Sequence, residues 1–297
     1  MKANLPSQAV SWISSYLSDR RQCVRLRDRS SSWRSLPSGV PQGSIIGPLL
    51  FSISVSSLSP LHDNSKVVKY ADDITILHFM RKDEDDLLQG EFNSVISWSN
   101  AAGLQLNLSK CSVTNFVTKA SLCCSPIFCP DGVALPVCSD VKILGVVFSD
   151  NFSWNKHVQN QVKKACKRIY LLRNLKRADC DDIILFNVYT SLIRSVLLFA
   201  YPCFCNAPMY LHDILLKVER RACRIIFKDK KYDCQDFSEA AKRMCENLFQ
   251  RILSANDHPL RDLFVDRAPT PRNPCLLGRP LARTKRLSNS FVRFCPA

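Results

Sequence analysis

The sequence predicts an α+β chain, a small antiparallel sheet backed by helices and followed by a mainly helical region. Three observations predict it. β-branched and aromatic runs, Val67, Val68 and Tyr70 before and Ile74 to Leu77 after, flank Ala71, Asp72 and Asp73, the signature of a β-hairpin with these three residues at its tip. Three of the chain's 8 glycines, Gly39, Gly43 and Gly47, cluster with Pro41 and Pro48, marking a loop whose backbone must bend or let a ligand come close. Beyond Trp154, apolar residues recur with helical spacing.

Along the chain, Ser7 to Leu17 reads as a short helix with Trp12, Ile13, Tyr16 and Leu17 on its apolar side, and Gln22 to Leu36 as a hairpin turning at Ser30 to Ser32. The run Leu49, Leu50, Phe51, Ile53 after Pro48 is expected to be a buried helix or strand supporting the glycine loop. Acids at Asp83 to Asp86 suit a helix N-terminus, Leu88, Phe92, Val95 and Ile96 give that helix an apolar stripe, and Gly103 stops it. Strands near Leu104 to Leu108 and Val113 to Val117 are expected to complete the sheet. From Ala120 to Pro136, Cys, Pro and Ser indicate a loop leading into a strand at Val141 to Phe148.

Two later helices are amphipathic and basic. Val158, Val162, Ala165, Ile169 and Leu172 line one, with Lys163, Lys164, Lys167 and Arg168 largely off that stripe; Leu211, Ile214, Val218, Ala222 and Ile225 line the other, with Lys217, Arg220, Arg221 and Arg224 elsewhere. Taken singly, each basic face is equally a solvated surface. Past Asp266, four prolines between Pro269 and Pro280 predict an extended or disordered tail up to the basic segment Arg283 to Arg286.

Composition narrows the function. Across 297 residues, 41 Lys and Arg against 26 Asp and Glu give a net charge of +15, which favours a polyanionic partner, nucleic acid before membrane. The apolar stretch Ser195 to Phe204 is too short to cross a bilayer and the first residues lack a signal-peptide core, so an intracellular location, nuclear or cytoplasmic, is expected. Fifteen cysteines, odd in number and never spaced as CxxC, read as reduced thiols; Cys203, Cys205, His212 and Cys223 are poorly spaced for zinc and read as packing. The five histidines are far apart in sequence and receive no role.

Adjacent Asp72 and Asp73 at one exposed bend read either as an ordinary acidic turn or as a divalent-cation site, since Mg²⁺ takes one or two carboxylates plus phosphate oxygens. Gln42, between Pro41 and Gly43, offers an amide to a base, sugar or phosphate. SGVPQGSIIGPLLF at Ser38 to Phe51 followed by YADD at Tyr70 to Asp73 resembles the palm of reverse transcriptases of the LINE-type (non-LTR) retrotransposons. The likeness extends to WISSYLSDRRQCVRL (Trp12 to Leu26), WSNAAGLQLNLSKC (Trp98 to Cys111), VKILGVVFSDNFSW (Val141 to Trp154) and the terminal RTKRLSNSFV (Arg283 to Val292).

The resemblance implies a partial polymerase palm over residues 1–118, a loop and primer-gripping hairpin over 119–155, a helical thumb over 156–265 and a basic Pro-rich tail over 266–297. It implies RNA-directed DNA synthesis in which Asp72 and Asp73 bind catalytic Mg²⁺, Asp72 being the more critical. Gln42 and Gly43 would line the incoming deoxynucleoside triphosphate, Tyr70 and Ala71 would lie beside it and the primer end, and Lys110 would donate a proton near the leaving pyrophosphate. The two basic helices would contact the RNA template and DNA primer duplex. The family's further catalytic aspartate and its fingers have no match here, because Asp19 and Asp28, the acids before residue 60, follow no apolar strand. The expectation is therefore a truncated copy, inactive alone, with a non-catalytic nucleic-acid-binding remnant as the alternative.

Overall fold

The structure is a computed structural model and describes residues 5–80, 86–116, 125–228, 235–255, 257–266 and 277–278. The chain divides into two compact units, residues 1–113 with 119–137, and 114–118 with 138–297.

In the first unit, helix α1 (Ser7–Leu17) coincides with the expected helix and leads into an interrupted hairpin. Strand β1 (Arg21–Gln22) pairs with β4 (Arg34–Ser35), and β2 (Arg25–Leu26) with β3 (Arg29–Ser30). The turn falls at Arg27 and Asp28, with Arg27 at φ 52°, rather than at Ser30 to Ser32. The serines extend the arm instead: the Ser31 N–H donates to the Val24 carbonyl (2.9 Å), and the Val24 N–H donates to Ser31 Oγ (2.9 Å).

Helix α2 (Gly47–Val55) follows the glycine loop. The expected burial of its apolar run is corrected: Gly47 and Val55 are buried, but Leu49 is 61% and Ile53 41% exposed. A helix apolar on every side can bury only the arc that meets a neighbour.

Strands β5 (Ser65–Tyr70) and β6 (Asp73–His78) form the expected hairpin with a two-residue turn, Ala71 and Asp72, so Asp73 opens the second strand. Helix α3 (Leu88–Ala101) begins where the Asp86 carboxylate accepts the Leu88 N–H (3.2 Å); residues 81–85 lie outside the described residues. It ends at Gly103, φ 66°, with the Leu104 N–H bonded to the Ser99 carbonyl and the Gly103 N–H to that of Asn100, a Schellman stop.

The strands expected at 104–108 and 113–117 do not form among the described residues. Leu108–Lys110 is a 3₁₀ turn, and Val113 makes a single bridge to Val137. Their apolar side chains pack beside Phe92, Ile127, Cys129 and Leu135, so the segment expected to be a plain loop supplies part of this unit's core.

In the second unit β7 (Asp140–Ile143) and β8 (Val146–Ser149) form a hairpin turning through Leu144 and Gly145, both at positive φ. Helix α4 (Asn155–Arg177) follows, then α5 (Asp182–Val188), a π-helical turn (Tyr189–Arg194) and α6 (Ser195–Leu197). After α7 (Tyr201–Phe204), the long helices α8 (Met209–Phe227) and α9 (Gln235–Ser254) complete the bundle; β9 (Val265–Asp266) pairs with β10 (Leu277–Gly278), and the rest of the expected tail lies outside the described residues.

The stripe predicted for α4 is buried except for Val162, which is half-buried, and it also contains buried His157 and Gln161. On α8 the buried arc is Leu211, Leu215, Val218, Ala222 and Ile226; Ile214 and Ile225 are only partly covered. Glu219 lies within that arc because Arg194 reaches it (3.2 Å) while also binding Asp236 (2.7 Å) and the Tyr189 hydroxyl (3.0 Å).

Candidate active site

Alternation along the β5–β6 hairpin gives it two unlike faces. Ser65, Val67 and Lys69 on β5, with their partners His78, Ile76 and Ile74, form the more covered face; Lys66, Val68 and Tyr70, opposite Leu77, Thr75 and Asp73, form the outer one. Tyr70, 63% exposed, and Asp73 are therefore a cross-strand pair at the open end, and Asp72 occupies the exposed turn between them. Ala71 has φ 50°, the positive value needed at the first central position of a type II′ hairpin turn, where glycine is usual. A non-glycine residue there carries roughly 1–3 kcal/mol of strain, of the kind found at functional turns.

The covered face is anchored by two groups that the sequence reading passed over. Lys69 donates to the carbonyls of Val55 (3.0 Å), Ser56 (3.3 Å) and Leu58 (2.9 Å), capping the C-terminal end of α2 from the residue next to Tyr70. Glu91 on α3 is 1% exposed and accepts the Leu61 N–H (2.9 Å), the His62 N–H (2.8 Å) and the His62 ring (2.9 Å). Burial alone would raise its pKa, but these bonds and one from Ser65 outweigh burial and hold the carboxyl below its ordinary value. Ser65 Oγ lies 2.9 Å from His78 Nδ1 across the base of the hairpin. Lys69 shares strand parity with Val67, and Glu91 falls inside the apolar stripe of α3; those placements were the available signals.

The glycine loop is a turn in its own right. The Ser44 N–H donates to the Pro41 carbonyl with Gly43 at φ 81°, so Gly43 holds the third position of a type II turn and Gln42 the exposed second. A Cβ at Gly43 would meet nothing within 4 Å, whereas one at Gly47 would come within 2.6 Å of Ser44 Oγ and 3.2 Å of the Pro41 carbonyl. Spatial crowding thus constrains Gly47, and conformation constrains Gly43. Arg20 holds the loop's entrance through the Ser38 (3.2 Å) and Gly39 (2.6 Å) carbonyls.

Tyr70, Ala71, Asp72 and Asp73 are brought together by one turn. Among the described residues no hydrogen bond or ion pair joins Gln42 or exposed Lys110 to that turn, and no group of three or more His, Cys, Asp or Glu side chains is arranged to hold a metal ion. The predicted basic residues are exposed on α4 (Lys163, Lys164, Lys167, Arg168) and α8 (Lys217, Arg220, Arg221, Arg224), although Arg168 also donates to the Leu192 carbonyl (2.5 Å). No described helix is long and apolar enough to cross a membrane.

Residues 2–148 match the family Reverse transcriptase (RNA-dependent DNA polymerase). Among curated proteins, the chain is similar to the "Probable RNA-directed DNA polymerase from transposon BS" of Drosophila melanogaster, with 30% identity over 185 residues, 58% of this chain and 20% of that protein. It is 28% identical over 164 residues to the "Probable RNA-directed DNA polymerase from transposon X-element" of the same fly, covering 53% and 18%. Similarity to the "RNA-directed DNA polymerase from mobile element jockey" is 24% over 217 residues, 67% of this chain and 23% of the relative. The chain spans about a fifth of the length of these relatives. No solved structure matches it. With the GVPQG turn, the YADD hairpin and these relatives in agreement, residues 2–148 belong to the reverse transcriptase family and are similar to its LINE-type, non-LTR members.

Proposed function

We propose that this chain contributes the palm turn of an RNA-directed DNA polymerase and a basic helical surface for the template and primer duplex. The observation that carries the reading is the exposed Tyr70 to Asp73 turn, free on its outer face and fixed from behind by Lys69 and Glu91. Asp72 and Asp73 would hold Mg²⁺, whose chemistry when bound is to activate the attacking 3′-hydroxyl and steady the leaving pyrophosphate. Two adjacent carboxylates suit a hard cation that completes its shell with phosphate and water oxygens. Tyr70 and Ala71 would border the primer end and nucleotide, Gln42 would offer its amide to the deoxynucleoside triphosphate, Gly43 would keep the loop low, and Lys110 would supply a proton to the departing pyrophosphate. Lys163, Lys164, Lys167 and Arg168 on α4 and Lys217, Arg220, Arg221 and Arg224 on α8 would follow the duplex backbone, read by phosphate charge and shape.

A second reading, nucleic-acid binding without catalysis, is favoured by the number of carboxylates at the turn. Two leave Mg²⁺ short of a ligand set that demands near-ideal octahedral geometry. Primer extension with Mg²⁺ on an RNA template separates the two. The 297-residue chain should bind the duplex and give no extension alone, and a palm-and-fingers fragment of a relative added in trans should restore incorporation that Asp72→Asn abolishes. Incorporation that survives Asp72→Asn would refute the polymerase reading; binding with no rescue would leave the non-catalytic one.

A further inference from the structure

A cavity of about 220 Å³ lies between the β7–β8 hairpin and α4, and every charged side chain lining it is a lysine: Lys142, Lys163, Lys164 and Lys167. Among the described residues none of the four has an acidic partner, and the nearest acid on the strand, Asp140, is already bound to Lys156 and Ser149. Behind the lysines are two buried polar side chains, His157 (1% exposed) and Gln161 (2%). The ring of His157 is occupied: its Nδ1 accepts the Val147 N–H (3.3 Å) and it also bonds the Phe199 backbone. Burial and the charge of Lys164 push its pKa down, so the wall stays neutral while the rim is cationic. The amide of Gln161 makes only a 3.5 Å contact with His157, leaving polar capacity at the wall. Gly145 is required here on two counts, φ 86° and a Cβ position 3.1 Å from the Phe199 ring.

We propose that this cavity is a phosphoryl-anion site, for a phosphate or pyrophosphate group. Four lysines lining one cavity, with no carboxylate among its lining residues, favour a multivalent oxyanion, the ligand lysine binds as a point charge. The volume equals roughly seven waters at about 30 Å³ each, room for a pyrophosphate, and no Phe, Tyr or Trp ring lines it to stack a base. Lys142, Gln161 and His157 belong to no basic helix face, so this is a built concavity within the broader charged surface. The proposal rests on the nucleic-acid reading only for the source of the phosphate, a backbone or a terminal group.

Calorimetric titration of the full chain with inorganic pyrophosphate tests it without nucleic acid. One site per chain is expected, and Lys142→Gln and Lys164→Gln should each weaken binding roughly three- to tenfold. Lys66→Gln, on the outer face of the YADD hairpin, should change it less than about twofold. All three lysines are exposed, and unfolding midpoints should match the parent. No saturable binding, or equal loss in Lys66→Gln, would overturn the site. Displacement of labelled duplexes by pyrophosphate then gives the source: preference for a 5′-phosphorylated over a 5′-hydroxyl end, erased by Lys142→Gln, assigns a terminal phosphate, and equal displacement assigns the backbone. Saturable pyrophosphate binding with no duplex binding would keep the site and reject the nucleic-acid reading.

Discussion

At Ala71 a left-handed backbone angle holds the Tyr70 to Asp73 turn in a conformation that glycine adopts without strain. Relief of the roughly 1–2 kcal/mol left-handed penalty, less the entropy glycine adds to the unfolded chain, predicts that Ala71→Gly stabilises the chain by about 0.5–1 kcal/mol in urea unfolding. Alanine retained at that cost fits a turn whose shape serves chemistry. Glu91 gives a pH prediction. Its folded pKa is depressed, so its stabilisation is fully present above the ordinary carboxylate value and is lost as pH falls through the folded value. Stability should therefore drop as pH falls below about 4. Glu91→Gln should be less stable at neutral pH, by roughly 1–3 kcal/mol for the unmet N–H groups of Leu61 and His62, with a flatter acid limb. Unchanged acid dependence in that variant would remove Glu91 from the account. At the glycine loop the two constraints separate: Gly47→Ala must move Ser44, whereas Gly43→Val fails through φ alone.

Between elements, Lys69 is the link that ties the strand entering YADD to the end of α2. Lys69→Met should keep the side chain's bulk, remove about 1–2 kcal/mol of charge-assisted bonding and speed amide exchange across β5 and β6 while sparing α8. Equal exchange in Lys69→Met and the parent would make Lys69 a bystander. In the second unit, Arg194 bridges Glu219 and Asp236 and covers the Phe186 and Tyr189 rings. Arg194→Ala should cost about 3–5 kcal/mol, because it leaves the Glu219 charge buried. Patterns that local chemistry fixes were legible in the sequence: α1, the YADD hairpin, the Gly103 stop and the α4 stripe all follow from spacing and turn residues, whereas the single strand read at Val141 to Phe148 is a hairpin, turned by Leu144 and Gly145 at positive φ. Strands at 104–108 and 113–117 were misread because alternating apolar residues there pack against Phe92 and Ile127 without backbone partners, and alternation alone does not distinguish the two. Lys69, Glu91 and the lysine cavity were missed because each joins side chains of different elements, which spacing within one element does not show.

For the whole molecule, the charge of +15 matters through where it can be concentrated, on the exposed sides of α4 and α8. If those helices track a duplex, the logarithm of affinity should fall linearly with the logarithm of salt, with a slope of roughly −0.9 per phosphate neutralised for B-form DNA. Replacing Lys163, Lys167, Arg220 and Arg224 together by Gln should flatten the slope and leave sequence preference unchanged; an unaltered slope would return these residues to plain solvated surface. Family likeness was legible because motifs survive as short ordered strings, whereas of the proposed metal site the sequence offers only two carboxylates. Its direct test is paramagnetic broadening of backbone amide signals by Mn²⁺, a spin-bearing ion that shares the oxygen-ligand preference of Mg²⁺. Broadening centred on Tyr70 to Ile74, reversed by excess Mg²⁺ and absent in Asp72→Asn with Asp73→Asn, is the predicted result; broadening elsewhere, or broadening that persists in that double variant, would contradict the assignment of the turn as the catalytic metal site.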